Sequence, residues 1–254
     1  MNILFEYIKY KVKAKNRHGI HSPYVYAISD CALTQSIPYE LKNLRKELLN
    51  KLDSCHEHIQ ITDYGVGSKH LGIKRSIRSM AKTSASRGAY GWFLYRLAKH
   101  IEPKNILELG TSLGIGSWHL MHGYPSGSLI TVEGCPETAR FASKTLKDIP
   151  GVQVVNQRFI DFIPTLNPTY RADLVFIDGH HDGEALLGYI DQLLPHSHDE
   201  TIFIVDDIRW SDCMYKAWQQ LKGDHRFHVN IDFFRMGVLV KRPYQEKEAF
   251  TLSL

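Results

Sequence analysis

Asn105-Ile106-Leu107-Glu108-Leu109-Gly110-Thr111-Ser112-Leu113-Gly114-Ile115-Gly116 joins a short strand, NILEL, to a glycine-rich turn and the opening of a helix. Glycines at 110, 114 and 116 let the backbone come close to a ligand, and the helix start offers unbonded N–H groups. Their spacing differs from the G-x-G-x-x-G of dinucleotide enzymes, which argues against an NAD site. Twenty-five residues past Glu108 the next strand, SLITVE, ends in Glu133. An acid at that place can accept both ribose hydroxyls of an adenosine.

Outward from this stretch the chain keeps one rhythm. VQVVN (152–156), ADLVFID (172–178) and TIFIVDD (201–207) read as strands, separated by helices at 136–148, 183–194 and 211–221. HRFHVNI (225–231) and MGVLVKR (236–242) read as an antiparallel pair at the sheet edge. Apolar strands alternating with helices predict an α/β fold, a doubly wound, mostly parallel sheet of seven strands covered on both faces. Ligands in such sheets bind outside the carboxyl ends of the strands. Residues 1–60 read as helical, with Ser22-Pro23 opening one helix, and Ile59–Thr62 as a short apolar stretch. Basic helices are expected over Ile73–Ala81 and Tyr90–His100. The expected division is an N-terminal, mostly helical cap over 1–88 and a ligand-binding domain over 89–254.

Composition narrows the class. The chain has 254 residues, 43% hydrophobic and 23% charged, as ordinary globular proteins do. No run approaches the roughly 18–20 apolar residues of a membrane span. The start lacks the layout of a signal peptide, so a cytoplasmic location is expected. Cys31, Cys55, Cys135 and Cys213 form no C-x-x-C pair, which argues for reduced thiols. Residues 1–100 hold 17 Lys and Arg against 7 Asp and Glu, while residues 101–254 hold 14 against 20. A basic front half could meet an anionic substrate, nucleic acid or a membrane surface, or could simply be solvated helix faces.

The motif E-x-G-x-x-x-G followed by an acid closing the second strand resembles class I S-adenosylmethionine-dependent methyltransferases, with their Rossmann-like fold. FIDGHH (176–181) and FIVDDI (203–208) resemble small-molecule O-methyltransferases, several of which need a divalent metal. RHGIHSPYVY (17–26) resembles the start of a group of bacterial methyltransferases. The resemblance covers about residues 104–210 and implies S-adenosylmethionine as cofactor. Gly110, Thr111 and Gly114 would line its methionine part, Glu108 would orient the loop or the amino group, and Glu133 would hold the ribose. Arg158 and Phe159 would flank the adenine. Asp63-Tyr64-Gly65-Val66-Gly67-Ser68 also looks like such a loop. No second strand ending in an acid follows it, so it reads as a turn, near the cofactor or substrate mouth.

Asp178 ends one buried strand, and Asp206 and Asp207 end the next. If those strands are neighbours, three carboxylates converge, which is costly without a cation or hydrogen-bond donors. Oxygen donors of this kind suit Mg²⁺, Ca²⁺ or Mn²⁺. In the resembling proteins the corresponding positions hold a metal that binds two substrate oxygens. The alternative is that Asp178 hydrogen-bonds the methionine amino group and the Asp pair caps the helix at Ser211. Without a metal, one of the three should be protonated or paired with a cation, Arg209 being nearest in sequence. His181 aligns best with a histidine of the related motif and is the first choice of base, His180 the second, with Asp178 beside them. The expected function is methylation of a small hydroxylated metabolite, with no specific nucleic acid bound and a homodimer allowed. A nucleic-acid or protein methyltransferase, and a nucleotide-binding module without catalysis, are the alternatives.

Overall fold

Ile106, Leu107, Glu108 and Leu109 are all buried, which explains why the central run is apolar at consecutive positions and carries no alternation. The computed structural model describes residues 2–15, 20–62 and 73–254. Helices α1 (Ile3–Lys13), α2 (Pro23–Thr34) and α3 (Tyr39–Asp53) come first. A hairpin of β1 (His58–Ile61) and β2 (Ile73–Ser76) follows, then α4 (Ile77–Thr83) and α5 (Ala89–Ile101). The alternating part runs β3 (Asn105–Leu109), α6 (Ile115–Gly123), β4 (Ser128–Glu133), α7 (Pro136–Leu146), β5 (Val152–Asn156) and the short α8 (Phe159–Phe162). It continues with β6 (Ala172–Ile177), α9 (Gly183–Leu193), β7 (Ser197–Val205) and α10 (Asp212–Gly223). Strands β8 (Val229–Asp232), β9 (Gly237–Val240) and β10 (Glu248–Thr251) close the chain.

The large sheet has the order β10-β8-β9-β7-β6-β3-β4-β5. Strands β5, β4, β3, β6 and β7 are parallel, and β9 pairs antiparallel with both β7 and β8. The chain winds outward from β3 to β5, then returns to lay β6 on the other side of β3, so the order reverses between β3 and β6. That reversal opens a crevice at the carboxyl ends of these two strands. The sheet has eight strands where seven were expected. The extra one, EAFT, is too short and mixed to show a period, and it adds parallel to β8. The expected helix over Ile73–Ala81 is half strand. Ile73–Ser76 pairs with His58–Ile61, and the Ser76 hydroxyl then caps α4 by accepting from Ser79 N at 3.2 Å. Apolar residues four apart satisfied a helical reading there, but strand pairing took the first four residues.

One side of the sheet packs against α2 and α5 through Val25, Ile28, Phe93, Leu94 and Leu97, so the front helices share a core with the sheet. The other side packs against α9 and α10 through Leu186, Ile190, Met214 and Trp218. Helix starts follow the sequence signals: Asp182 accepts from Ala185 N at 2.8 Å, and Ser211 from Met214 N at 3.1 Å. Asp212 is thus the first helical residue and Ser211 the cap.

At the end of β8, Asp232 accepts two bonds of 2.8 Å from the Arg209 guanidinium and one of 3.3 Å from Trp218 Nε1. The Arg209 and Asp232 side chains are only 7% and 3% exposed. Removing one partner of a buried pair leaves the other charge uncompensated. Asp232→Ala is therefore expected to lower unfolding free energy by about 3–5 kcal/mol in urea titrations. Asp232→Asn, which keeps two of the hydrogen bonds, should cost less.

Candidate active site

Gly110 sits at the reversal with φ +108°, and a Cβ there would lie 2.2 Å from the Asp178 carbonyl oxygen. No other residue lets the ends of β3 and β6 approach this closely. The Asp178 N–H donates to the Leu109 carbonyl at 2.8 Å, and the Gly110 N–H to Val132 O at 2.9 Å. Gly114, at φ +82°, opens α6 against Leu146.

A cavity of about 290 Å³ opens at these strand ends. Gly110, Glu133, Arg158, Phe159 and Asp178 line it, together with Ser112, Cys135, Thr138, Gly179, His180 and Tyr189. Glu133 is positioned through both oxygens: Oε2 accepts from Ser112 N and Oε1 from Cys135 N, each at 2.9 Å. Burial pushes its carboxyl up while these N–H donors pull the other way. Thr138 also belongs to the lining, and its Oγ1 is buried without a hydrogen-bond partner. Arg158 is paired with Asp161 at 2.5 Å.

Three expected cofactor residues stand behind the wall. Thr111 bonds Thr131 hydroxyl to hydroxyl at 2.6 Å, and Gly114 packs on Leu146. Glu108 points into the core, where it accepts from Thr131 Oγ1 at 2.6 Å and from the Ser117 hydroxyl. It thereby ties β3 to β4 and α6. Complete burial pushes its carboxyl up to about 7, against the two hydroxyl donors.

The hairpin β1–β2 supplies a wall that the sequence did not reveal. Ile61, Thr62 and Arg75 line the cavity. Gln60 N donates to Glu137 Oε2 at 2.6 Å and Thr62 N to Cys135 Sγ at 3.4 Å, tying the hairpin to α7. Asp63–Ser68, expected near the mouth, lies outside the described residues.

Beside the cavity the three acids gather as expected, with a guanidinium among them. Burial, then the charge of Asp206, pushes Asp178 well above the usual carboxylate range. Burial, then the charge of Asp207, raises Asp206 to about 6, and its two oxygens are buried without hydrogen-bond partners. Asp207 turns to Arg235, whose Nε lies 2.8 Å from its Oδ1 and 3.4 Å from Asp206 Oδ1. The compensating cation is thus Arg235, 28 residues downstream, while Arg209 is taken by Asp232. Among the described residues no group of three His, Cys, Asp or Glu is placed to hold a metal ion. His181 Nε2 lies 3.8 Å from Asp207 Oδ2, and its ring is 5.5 Å from that of Trp210. His180 Nδ1 lies 2.6 Å from the Tyr189 hydroxyl. Of the cavity lining, Ser112 and His180 have positive φ, as do the neighbouring His181 and Asp207.

A parallel sheet reversing beside a glycine turn, with an acid closing the neighbouring strand, is the ligand-site arrangement of doubly wound, Rossmann-like folds. Residues 107–208 match the family model described as "Methyltransferase domain". The chain is 34% identical over 125 residues to a catechol O-methyltransferase of Niastella koreensis, covering 46% of this chain and 55% of the relative. It is 33% identical over 122 residues to one of Mycobacterium tuberculosis, covering 46% and 54%. The chain thus spans about half the length of the curated relatives it matches. Its fold is that of an SAH-bound methyltransferase from Podospora anserina, with a TM-score of 0.59 at 16% identity over 87% of this chain and 96% of that one. An O-methyltransferase from Bacillus cereus in complex with SAH gives 0.55 at 16% identity, over 84% and 95%.

The Glu108 carboxyl holds its proton longer when folded than the usual 4.5 of the unfolded chain allows. Its stabilising contribution is complete below that value and is lost as pH rises toward about 7. Glu108→Gln is expected to show a shallower fall in unfolding free energy across that window, read by urea titrations at successive pH values.

Proposed function

We propose that the chain transfers a methyl group from S-adenosylmethionine to a hydroxyl oxygen of a small molecule. The observation that carries this reading is the cavity at the sheet reversal. It gathers Gly110, Glu133, Arg158, Phe159 and Asp178 in its lining, with Asp206 and Asp207 close to Asp178 and His181 close to Asp207. The cradle suits an adenosine: the two Glu133 oxygens are oriented by backbone donors yet keep lone pairs for ribose hydroxyls. The Thr138 hydroxyl lacks a partner that a ligand would supply. Arg158 and Phe159 take the adenine side, and Asp178 the methionine end. Glu108, Thr111 and Gly114 act from behind by fixing the loop. When bound, the cofactor supplies a methyl group on a sulfonium, open to in-line displacement.

What the chain then has to do is position the acceptor oxygen and take its proton. His181 Nε2 is assigned the proton, and Asp207 stabilises the resulting imidazolium from 3.8 Å. Trp210, 67% exposed beside His181, offers a flat face to an acceptor ring. A three-carboxylate metal centre does not fit, because Asp207 is bonded to Arg235 and two carboxylates remain. Arg235 offsets the acids instead, so no step is assigned to a metal.

Calorimetry with S-adenosylhomocysteine tests the cofactor site. Glu133→Ala should weaken binding by about 2–4 kcal/mol, since hydrogen bonds to a charged group run at roughly 1.5–3 each and are not fully additive. Unchanged affinity would move the site elsewhere. Transfer of labelled methyl to a panel of phenols, diphenols and sugars tests the acceptor class, and that transfer is expected to persist in excess chelator. Loss with chelator and recovery with Mg²⁺ would mean that Asp207 releases Arg235 to complete a metal site.

A further inference from the structure

Helix α1 keeps one face on the protein and turns an apolar stripe outward. Its buried residues are Glu6 and Tyr10. The Tyr10 hydroxyl donates to Leu252 O at 2.6 Å, and the Tyr10 and Tyr7 rings pack on Phe234 with centroids at 5.2 and 5.0 Å. Just past the helix, Lys15 N donates to Thr251 O at 2.9 Å on the edge strand β10. The opposite face is fixed outward by these contacts. Leu4, Ile8 and Val12 recur every four residues with Phe5 alongside, forming one stripe along the helix. All four are exposed, Val12 at 82%. Of the thirteen exposed large hydrophobics among the described residues, six lie between Ile3 and Val12, whereas the other seven are scattered. Such concentration marks an interaction surface, where single exposed apolar residues would not.

Charge decides what covers it. Lys9 flanks the stripe on one side, 4.3 Å from the Phe5 ring, and Lys11 on the other, 5.5 Å from Tyr7. Lys13 and Lys15 continue the positive edge and are exposed. The acid of the helix, Glu6, is buried and paired with Lys9 at 2.9 Å. A second copy docking the same face by twofold symmetry would set lysine rows against each other with no exposed acid on the helix to answer them. An anionic lipid surface answers Lys11, Lys13 and Lys15, which Glu6 does not pair, and takes the stripe between its chains. At eleven residues the helix is too short to span a bilayer, and no described helix is long and apolar enough to do so.

We propose that α1 docks the protein on anionic membranes, lying in the interface with Leu4, Phe5, Ile8 and Val12 inserted and Lys9, Lys11, Lys13 and Lys15 at the headgroups. The test is co-sedimentation of the full chain with vesicles of phosphatidylcholine alone or mixed with phosphatidylglycerol. The chain should pellet with the mixed vesicles, less at high salt, and little with phosphatidylcholine alone. Ile8→Glu/Val12→Glu should weaken partitioning by at least about tenfold. Lys11→Gln/Lys13→Gln should weaken it by about fivefold per lysine. Unchanged circular dichroism and thermal melting show that the variants fold, and the salt series on the unaltered chain needs no variant. Three results would overturn the proposal: wild type left in the supernatant with mixed vesicles, equal binding by Ile8→Glu/Val12→Glu, or a wild-type dimer in sedimentation equilibrium that this variant dissolves. None of these readouts depends on methyl transfer.

Discussion

The backbone contact between Gly110 and Asp178 is the constraint on which the rest of the site depends. Space for a single hydrogen at Gly110 lets the carbonyl of Asp178 sit where a Cβ would be, and the ends of β3 and β6 close together at the point where the sheet reverses. From that contact the geometry spreads both ways. Along β3 and β4, Gly110 N bonds Val132 O and sets Ser112 N on Glu133. Along β6 and β7, Asp206 N bonds Ile177 O and brings the Asp206 carboxyl beside Asp178. The cofactor wall and the acid cluster are two consequences of one steric allowance.

Bringing acids together has an electrostatic cost, and the structure meets it in two ways. Asp178 and Asp206 are both pushed toward their protonated forms, by burial and then by the neighbouring acid charges. Asp207, at the surface of the cluster, takes the Arg235 guanidinium from the turn between β8 and β9. The same stretch places Asp232 under Arg209 and Trp218, so the turn end of the tail hairpin carries a structural charge pair beside the site charge. An antiparallel addition to a parallel sheet therefore has a role at the site beyond covering an edge.

Much of this was legible in the sequence because it rested on local patterns. The strand–turn–helix at 105–116 and the acid at 133 are readable from glycine placement and apolar runs, and β8 and β9 from their alternation. What was not legible rested on distant contacts. Arg235 follows Asp207 by 28 residues, and only the register of β9 on β7 brings it there. The β1–β2 hairpin joins the cavity through Cys135 and Glu137, more than seventy residues away. Glu108 was assigned to the loop or the amino group, and no sequence pattern shows that its side chain faces the hydroxyls of Ser117 and Thr131.

The inward-facing Glu108 and the outward-facing Glu133 show how one motif divides its work. Both are acids at or near a strand end, and residues paired across adjacent strands stand opposite each other: Glu108 is in register with Thr131, two residues before Glu133. Glu108 is met by hydroxyls that can follow either protonation state, so its carboxyl can be neutral inside the core without losing partners. Glu133 is met by backbone N–H groups that favour the charged form, which is the form able to accept from two ribose hydroxyls. The chemistry of each position is therefore set less by the acid itself than by the groups that β4 and the glycine turn bring to it.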